Sequence, residues 1–254
     1  MSTAPTILLE NLHLSYQNEI VFKQLNLTIS PSKWTCLLGP SGIGKSTLLK
    51  LIAGLIPAKI SGEFFRGTIR TDNTMPVSEQ VAYMPQTDLL QPWFTAFDNA
   101  LIGYRLRGFV PDSILKQAKK LFSLAGLDKA LKKYPYQLSG GMRQRVALIR
   151  TLLEDKPIVL MDEPFSAVDT ITRFQLQTLA SELLKNRTVL LVTHDPLEAL
   201  RLADDIIILS GKPAGIAHTM QLDSPAPRNM DNADVIHYQG LLFDALTKAK
   251  EIEA

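Results

Sequence analysis

Gly39-Pro40-Ser41-Gly42-Ile43-Gly44-Lys45-Ser46 fits Gly-x-x-x-x-Gly-Lys-[Ser/Thr] at every fixed position. Its flanks are as informative as the stretch itself. Trp34 to Leu38 reads as a buried parallel strand, and Ser46 to Leu55 opens a helix that turns Leu48, Leu49, Leu51 and Ile52 toward a core. Gly39, Gly42 and Gly44 let backbone N–H groups turn inward with no Cβ in the way, and the helix N-terminus adds a field that favours anions. Lys45 supplies a point charge for the β- and γ-phosphates of a nucleotide, the Ser46 hydroxyl is a ligand for Mg²⁺, and Thr47 offers a further hydroxyl. An ordinary glycine-rich turn needs neither the Lys-Ser pair nor these flanks, so the stretch is a phosphate cradle.

The rest of the composition limits what the cradle serves. The 254 residues are 46% hydrophobic, enough for one large core or a core with a smaller insert. With 27 Lys and Arg against 25 Asp and Glu, the net charge of +2 makes no electrostatic case for nucleic acid or an anionic membrane surface. Cys36 is the single cysteine, which excludes an internal disulfide and fits a core position in a reducing compartment. No apolar run approaches the ~20 residues that span a bilayer, and the first ten residues do not read as a signal peptide. The sequence therefore reads as cytoplasmic.

In chain order, Ile7 to Tyr16 and Val21 to Ile29 alternate apolar and polar residues around Gln17-Asn18-Glu19, as antiparallel strands do. Ile56-Pro57 stops the helix after the cradle. Gly62 to Arg70 then predicts a pair of short strands joined through glycine turns, and Val81 to Met84 a further strand that leaves Gln86 at its end. From Asp88 to Asp155 the period is helical: Thr95 to Leu106, Pro111 to Ala125 and Gly141 to Glu154. Strand-like runs return at Ile158 to Met161, Val189 to Val192 and Ile206 to Leu209, alternating with helices near Thr170 to Leu184 and Pro196 to Leu202. An edge hairpin is expected in Gly211 to Met220 and a short terminal helix in Leu241 to Ile252. There is no internal repeat. The fold class is thus α/β, a P-loop NTPase core with a mainly parallel sheet, an N-terminal antiparallel β subdomain and an inserted helical subdomain. The expected boundaries are 1–87 with 156–220 for the nucleotide-binding core, 88–155 for the helical insert and 221–254 for a short C-terminal extension.

Ile158 to Pro164 reads as a buried strand ending in Asp162 and Glu163, and open α/β sheets bind ligands at the carboxyl ends of their strands. An Asp so placed helps to hold Mg²⁺ beside a nucleotide, and Glu163 is then the candidate base for an attacking water. His194 closes the run Thr188 to Thr193 at the same edge, where it can orient a γ-phosphate. Leu138-Ser139-Gly140-Gly141-Met142-Arg143-Gln144-Arg145 caps a helix and forms a second anion-binding turn far along the chain. One chain carries two phosphate receptors of different kinds.

These elements, with Tyr16, Gln86 and Phe165 to Asp169, resemble the ATP-binding-cassette family of transporter ATPases over nearly the whole chain and in the family's order. The resemblance implies ATP and Mg²⁺ as ligands, with Tyr16 stacked on adenine, Gln86 catalytic and a metal ligand, and a head-to-tail homodimer. In that dimer ATP lies between one chain's cradle and the other chain's Ser139, Gly140 and Gly141, with Asp169 near the seam. Departures are small: Ile43 is bulkier than the family's usual residue, and Pro31-Ser32-Lys33-Trp34 replaces a Gly-containing turn. Asp88 to Gly103, which includes Trp93 and Phe94, and Thr193-His194-Asp195-Pro196-Leu197-Glu198-Ala199 look like the bacterial importers of nitrate, sulfonates, taurine and thiamine pyrimidine precursors. The partners so implied are integral permease subunits and, indirectly, a substrate-binding protein. The chain would then work at the cytoplasmic face of the inner membrane, its Gln86 reporting nucleotide state to the permease. The alternative is a soluble cassette ATPase acting on nucleic acid or the ribosome; such proteins usually carry two cassettes or a long coiled-coil insertion, whereas this sequence shows a single cassette and no heptad run.

Overall fold

The computed structural model describes residues 4–16, 19–56, 59–60 and 63–251. The chain divides into two compact units: Met1–Val81, Pro157–Asp162 and Asn186–Ala254 make one, and Ala82–Lys156 with Glu163–Lys185 the other.

The first unit holds two sheets. Strands β1 (Ile7–Tyr16), β2 (Glu19–Ile29), β4 (Lys59–Ile60) and β5 (Glu63–Thr71) form an antiparallel sheet in the order β2-β1-β5-β4. β5 is one strand where glycine turns were expected. Gly67 sits within it at φ +125°, and a Cβ there would lie 2.7 Å from the Asn11 carbonyl oxygen. The register with β1 slips between Glu10 and His13, so Gly67 accommodates a bulge in the neighbouring strand instead of reversing the chain.

The second sheet combines β3 (Trp34–Leu38), β6 (Val81–Met84), β7 (Ile158–Asp162), β8 (Thr188–Val192), β9 (Asp205–Ser210) and β10 (Gly215–Gln221) in the order β10-β9-β3-β8-β7-β6. β6 is the strand on which the chain leaves the first unit. β3, β7 and β8 are buried along their whole length, which is why they read as unbroken apolar runs, and β3 pairs parallel with β8 and β9 as β7 does with β8. The edge hairpin expected within Gly211 to Met220 is formed instead by β9 and β10, antiparallel, so that span supplies only the turn and the second strand. Helix α1 (Lys45–Ile52) packs on β7 and β8. It ends before the expected stop: the N–H of Leu55 returns to the carbonyl of Lys50 and Gly54 takes φ +70°, a C-terminal cap that closes the helix upstream of Ile56. Pro57 lies outside the described residues, as do Gln17 and Asn18 of the first hairpin.

The second unit is helical: α2 (Ala96–Ala100), α3 (Ile102–Leu106), α4 (Asp112–Leu124), α5 (Gly140–Leu153) and α6 (Thr170–Leu183). α2 and α3 were expected as one helix from Thr95. Leu101 breaks it, at φ −98° and ψ 5°, while Thr95 caps α2 by accepting the Asp98 N–H. Back in the first unit, α7 (Pro196–Leu202) has the expected limits, whereas α8 (Ala233–Glu251) starts eight residues before Leu241. Val235, Leu242 and Ala249 hold α8 to the core, and it packs against α7 and β9. Among the described residues no helix is long and apolar enough to cross a membrane.

Candidate functional site

The phosphate loop runs from the end of β3 to the start of α1, with Gly44 as N-cap at φ +104°. A Cβ on Gly44 would meet Val21 Cγ1 at 2.8 Å and Phe22 Cζ at 2.9 Å, so β2 presses directly on the loop. Tyr16 pairs with Glu19 at the end of the same hairpin, which places its half-buried ring on the sheet whose second strand touches the loop. Ile20, Val21, Gly42, Ile43 and Ala214 line a cavity of about 450 Å³ there. Lys45 Nζ donates to the carbonyls of Gly39 and Pro40, both at 2.7 Å, holding its ammonium over the loop. Ser41 is exposed, while Ser46 and Thr47 are half-buried in the first turn of α1.

Strand register carries the rest of this half-site. Val192 of β8 pairs with Leu37 on one side and Asp162 on the other. Asp162 is therefore level with a residue two positions before Gly39, and His194 follows two positions after Val192. Loop, carboxylate and imidazole leave one edge of the sheet on adjacent strands, as the carboxyl-end rule requires. His194 is exposed and Asp162 is 2% exposed. The donor set fits Mg²⁺: a hydroxyl from Ser46 and a carboxylate from Asp162 are hard oxygen ligands, and this metal takes its remaining ligands from phosphate and water. Among the described residues no cluster of three His, Cys, Asp or Glu forms a metal cage of the protein's own.

The second unit carries the other candidates. Glu163 takes φ +51°, a strained setting for a residue with a Cβ, and its backbone is held there from outside. Gln144 Nε2 donates to the Glu163 carbonyl at 2.8 Å and to Ser166 Oγ at 3.1 Å, and Gln144 Oε1 accepts the Ala167 N–H at 3.0 Å. Gln86 Nε2 reaches Glu163 Oε2 over a long 3.4 Å. Ser139 caps α5, its Oγ accepting the Met142 N–H at 3.3 Å, so the exposed Ser139 and Gly140 and the half-buried Gly141 form a helix N-terminus. Asp169 caps α6 through the Thr172 N–H at 3.1 Å, and that bond holds its carboxyl below the usual range.

Gln144 lies within the Leu138 to Arg145 turn, whose pattern gives it no role of its own. On α5 it shares an i, i+4, i+7 stripe with Leu148 and Thr151, all buried, and a polar residue on a buried stripe must find partners. The C-terminal helix also reaches the site: Phe243, Leu246, Thr247 and Lys250 of α8 line a groove of about 290 Å³ with Gly39, Pro40, Ser41 and His194. Nothing in the sequence near α8 points to the loop, since the approach depends on tertiary packing alone.

The ABC transporter family model matches residues 22–166, more than half of the chain. An ABC transporter ATP-binding protein of Haemophilus influenzae, itself uncharacterized, is 38% identical over 241 residues, covering 94% of this chain and 97% of its own. The aliphatic sulfonates import ATP-binding protein SsuB 1 of Rhodococcus jostii is 37% identical, covering 92% of this chain and 90% of its own. Among solved structures, the dimeric post-hydrolysis state of the ATP-binding cassette MJ0796, bound to ADP and Pi, superposes with a TM-score of 0.72 at 29% identity, covering 86% of this chain and all of that one. The chain belongs to the ABC transporter family, as one of its ATP-hydrolysing cassettes.

Proposed function

We propose that the chain powers a membrane importer of a small molecule, as a head-to-tail dimer that closes over ATP at the cytoplasmic face of the inner membrane. The observation that carries the reading is the presence of two anion receptors, the phosphate loop before α1 and the Ser139-capped start of α5, where the triphosphate of one ATP already has its own loop. The dimeric state of MJ0796 and the near full-length likeness to a sulfonate importer's ATPase support it. In the second unit Phe94, Leu101, Ile102, Leu106, Phe109 and Leu115 line an apolar groove of about 510 Å³, with Leu106 and Phe109 82% and 71% exposed. With Trp93 beside it, that groove is the surface for a short permease helix.

In the reaction Glu163 takes a proton from water as its oxygen bonds to the γ-phosphorus, and the bond to the β-phosphate oxygen breaks, releasing ADP and phosphate. Lys45 and the loop N–H groups hold the β- and γ-phosphates, His194 orients the γ-phosphate and Tyr16 carries the adenine. Ser46, Asp162 and Gln86 would hold Mg²⁺, which would supply neutralisation of the phosphate charge. Ser139, Gly140, Gly141 and Asp169 act on the partner's nucleotide.

Mixed dimers test the sharing. A Glu163→Gln chain lacks the base. A Gly140→Asp chain carries a carboxylate facing the γ-phosphate, at a glycine with open space around it, the nearest atom being Arg143 Nη2 at 3.9 Å. Each homodimer should be inactive. Their mixture contains one site with Glu163 from the second chain and an intact Gly140 from the first, so ATPase activity should exceed the sum of the separate preparations. No gain in a mixture whose mixed dimers are demonstrated refutes the shared site.

A further inference from the structure

The backbone on either side of the exposed His194 is fastened. Thr193, 2% exposed, donates its hydroxyl to Glu198 Oε2 at 2.5 Å, and the same Oγ1 accepts the Asp195 N–H at 3.1 Å. Asp195 in turn caps α7 by accepting the Leu197 N–H at 2.9 Å, and Pro196 fixes φ at the first helical position. Linked bonds thus bracket residue 194 without using its ring.

Glu198 is an odd choice for a purely structural site. It is 6% exposed, on a helix that packs against β3, and a carboxylate there costs stability unless its oxygens are bonded. Its charge is felt in that strand: burial first, then Glu198 and Asp195, push the Cys36 thiol well above its ordinary range. The helix that carries Glu198 is also tied down at its far end. Arg228, 2% exposed, donates to the carbonyls of Leu200 and Ala203 at 3.1 and 2.6 Å, and Arg201 Nη1 donates to the Arg228 carbonyl at 2.7 Å. Fixed at its C-terminal end, α7 gives Glu198 a defined place from which to hold the Thr193 hydroxyl.

We infer that Glu198 is a positioning residue for His194: through the Thr193 hydroxyl it sets the turn that aims the imidazole at the nucleotide. The inference rests on the reading that His194 meets the γ-phosphate. Displacing a reacting group's partner by about 1 Å can cost ~10²-fold in rate, which is the scale on which such a clamp matters.

The test is steady-state ATP turnover of the full chain in four forms: unaltered, Glu198→Ala, His194→Ala and the double variant. Glu198→Ala should lower kcat about tenfold or more with KM for ATP within about threefold, the split expected when orientation is lost and binding kept. In the His194→Ala background the same change should alter kcat less than about twofold, because its effect passes through the ring that has been removed. Glu198→Gln, which keeps an oxygen for the Thr193 hydroxyl, should retain at least about a third of the original kcat, and Thr193→Val should mimic Glu198→Ala. If His194→Ala is impaired while Glu198→Ala is not, or if Glu198→Ala is equally damaging in both backgrounds, the positioning role is overturned and the reading of His194 stands. If His194→Ala turns over ATP at the original rate, that reading fails and the inference fails with it. Should Glu198→Ala not fold, Thr193→Val decides, and an unchanged kcat there overturns the inference.

Discussion

Gly140 and Gly141 stand next to each other at the start of α5, and alanine at the two should change stability in opposite directions. Alanine in place of a helical glycine stabilises by about 0.4–1 kcal/mol where the backbone suits it, a gain common to both positions. Around Gly140 the new methyl meets nothing nearer than Arg143 Nη2 at 3.9 Å, so Gly140→Ala should show the gain. At Gly141 the methyl would lie 2.6 Å from the Ala167 carbonyl oxygen, well inside the 3.4 Å at which ordinary contact begins. That carbonyl has little freedom to retreat, because the Ala167 N–H is held by Gln144, whose amide also binds the Glu163 carbonyl. Forcing a methylene-sized group into a packed site costs about 1–3 kcal/mol. Since the helix gain cancels in the comparison, the gap between the variants is this strain, about 2 kcal/mol. For a chain of this size that corresponds to Tm values about 4–8 °C apart, with Gly140→Ala the higher. Thermal melts without nucleotide measure it free of any contribution from ATP contacts. Gly141→Ala melting at or above Gly140→Ala would refute the close approach of the Ala167 carbonyl and the clamp built on it.

Lys45→Ala removes an ammonium held over the loop by two 2.7 Å bonds and should raise the ATP dissociation constant at least about tenfold in a nucleotide titration, and unaltered binding would argue against that contact. Tyr16→Ala should weaken ATP binding about fivefold, the worth of one ring stack at ~1 kcal/mol, while Tyr16→Phe stays within about twofold; equal binding by the two would reduce Tyr16 to a packing residue. Arg228→Met strands the carbonyls of Leu200, Ala203 and Leu222 and should cost about 2–4 kcal/mol in chemical denaturation, and a loss below about 1 kcal/mol would show that these carbonyls find other donors.

The elements legible in the sequence were those whose pattern is set by one dominant contact. β3, β7 and β8 are covered on both faces and so appear as unbroken apolar runs, and α7 has Asp195 and Pro196 to mark its start. Where two causes compete, the pattern misleads. Gly67 looks like a turn because glycine usually is one, yet here it answers a bulge in a strand more than fifty residues away. The helix from Thr95 has a sound cap and a helical period, but Leu101 leaves helical geometry within it, a break that no proline or glycine at that position announces. The first turns of α8 are mainly exposed, so they lack the apolar stripe from which a helix is read, and only its contacts with α7 and β9 reveal its length.

For the site, the residues proposed to meet phosphate can be chosen from the sequence because the chemistry dictates their type: small residues at the loop, a cation, a hydroxyl, carboxylates at strand ends. Their supports are constrained differently. Gln144 and Glu198 need only be polar, buried and the right length to reach a backbone or hydroxyl partner, and nothing local states what that partner is. Gln144 reaches nineteen residues onward to the Glu163 carbonyl, while Glu198 reaches back only to Thr193. Yet both leave the same trace, a polar side chain on a helix face whose neighbours Leu148 and Leu202, four positions on, are buried. Such a residue costs about 1–3 kcal/mol if left without a bond, so its presence implies a bond elsewhere in the fold. In a chain whose proposed catalytic loops hold a strained Glu163 and an exposed His194, the backbone beside those residues is where that bond is needed.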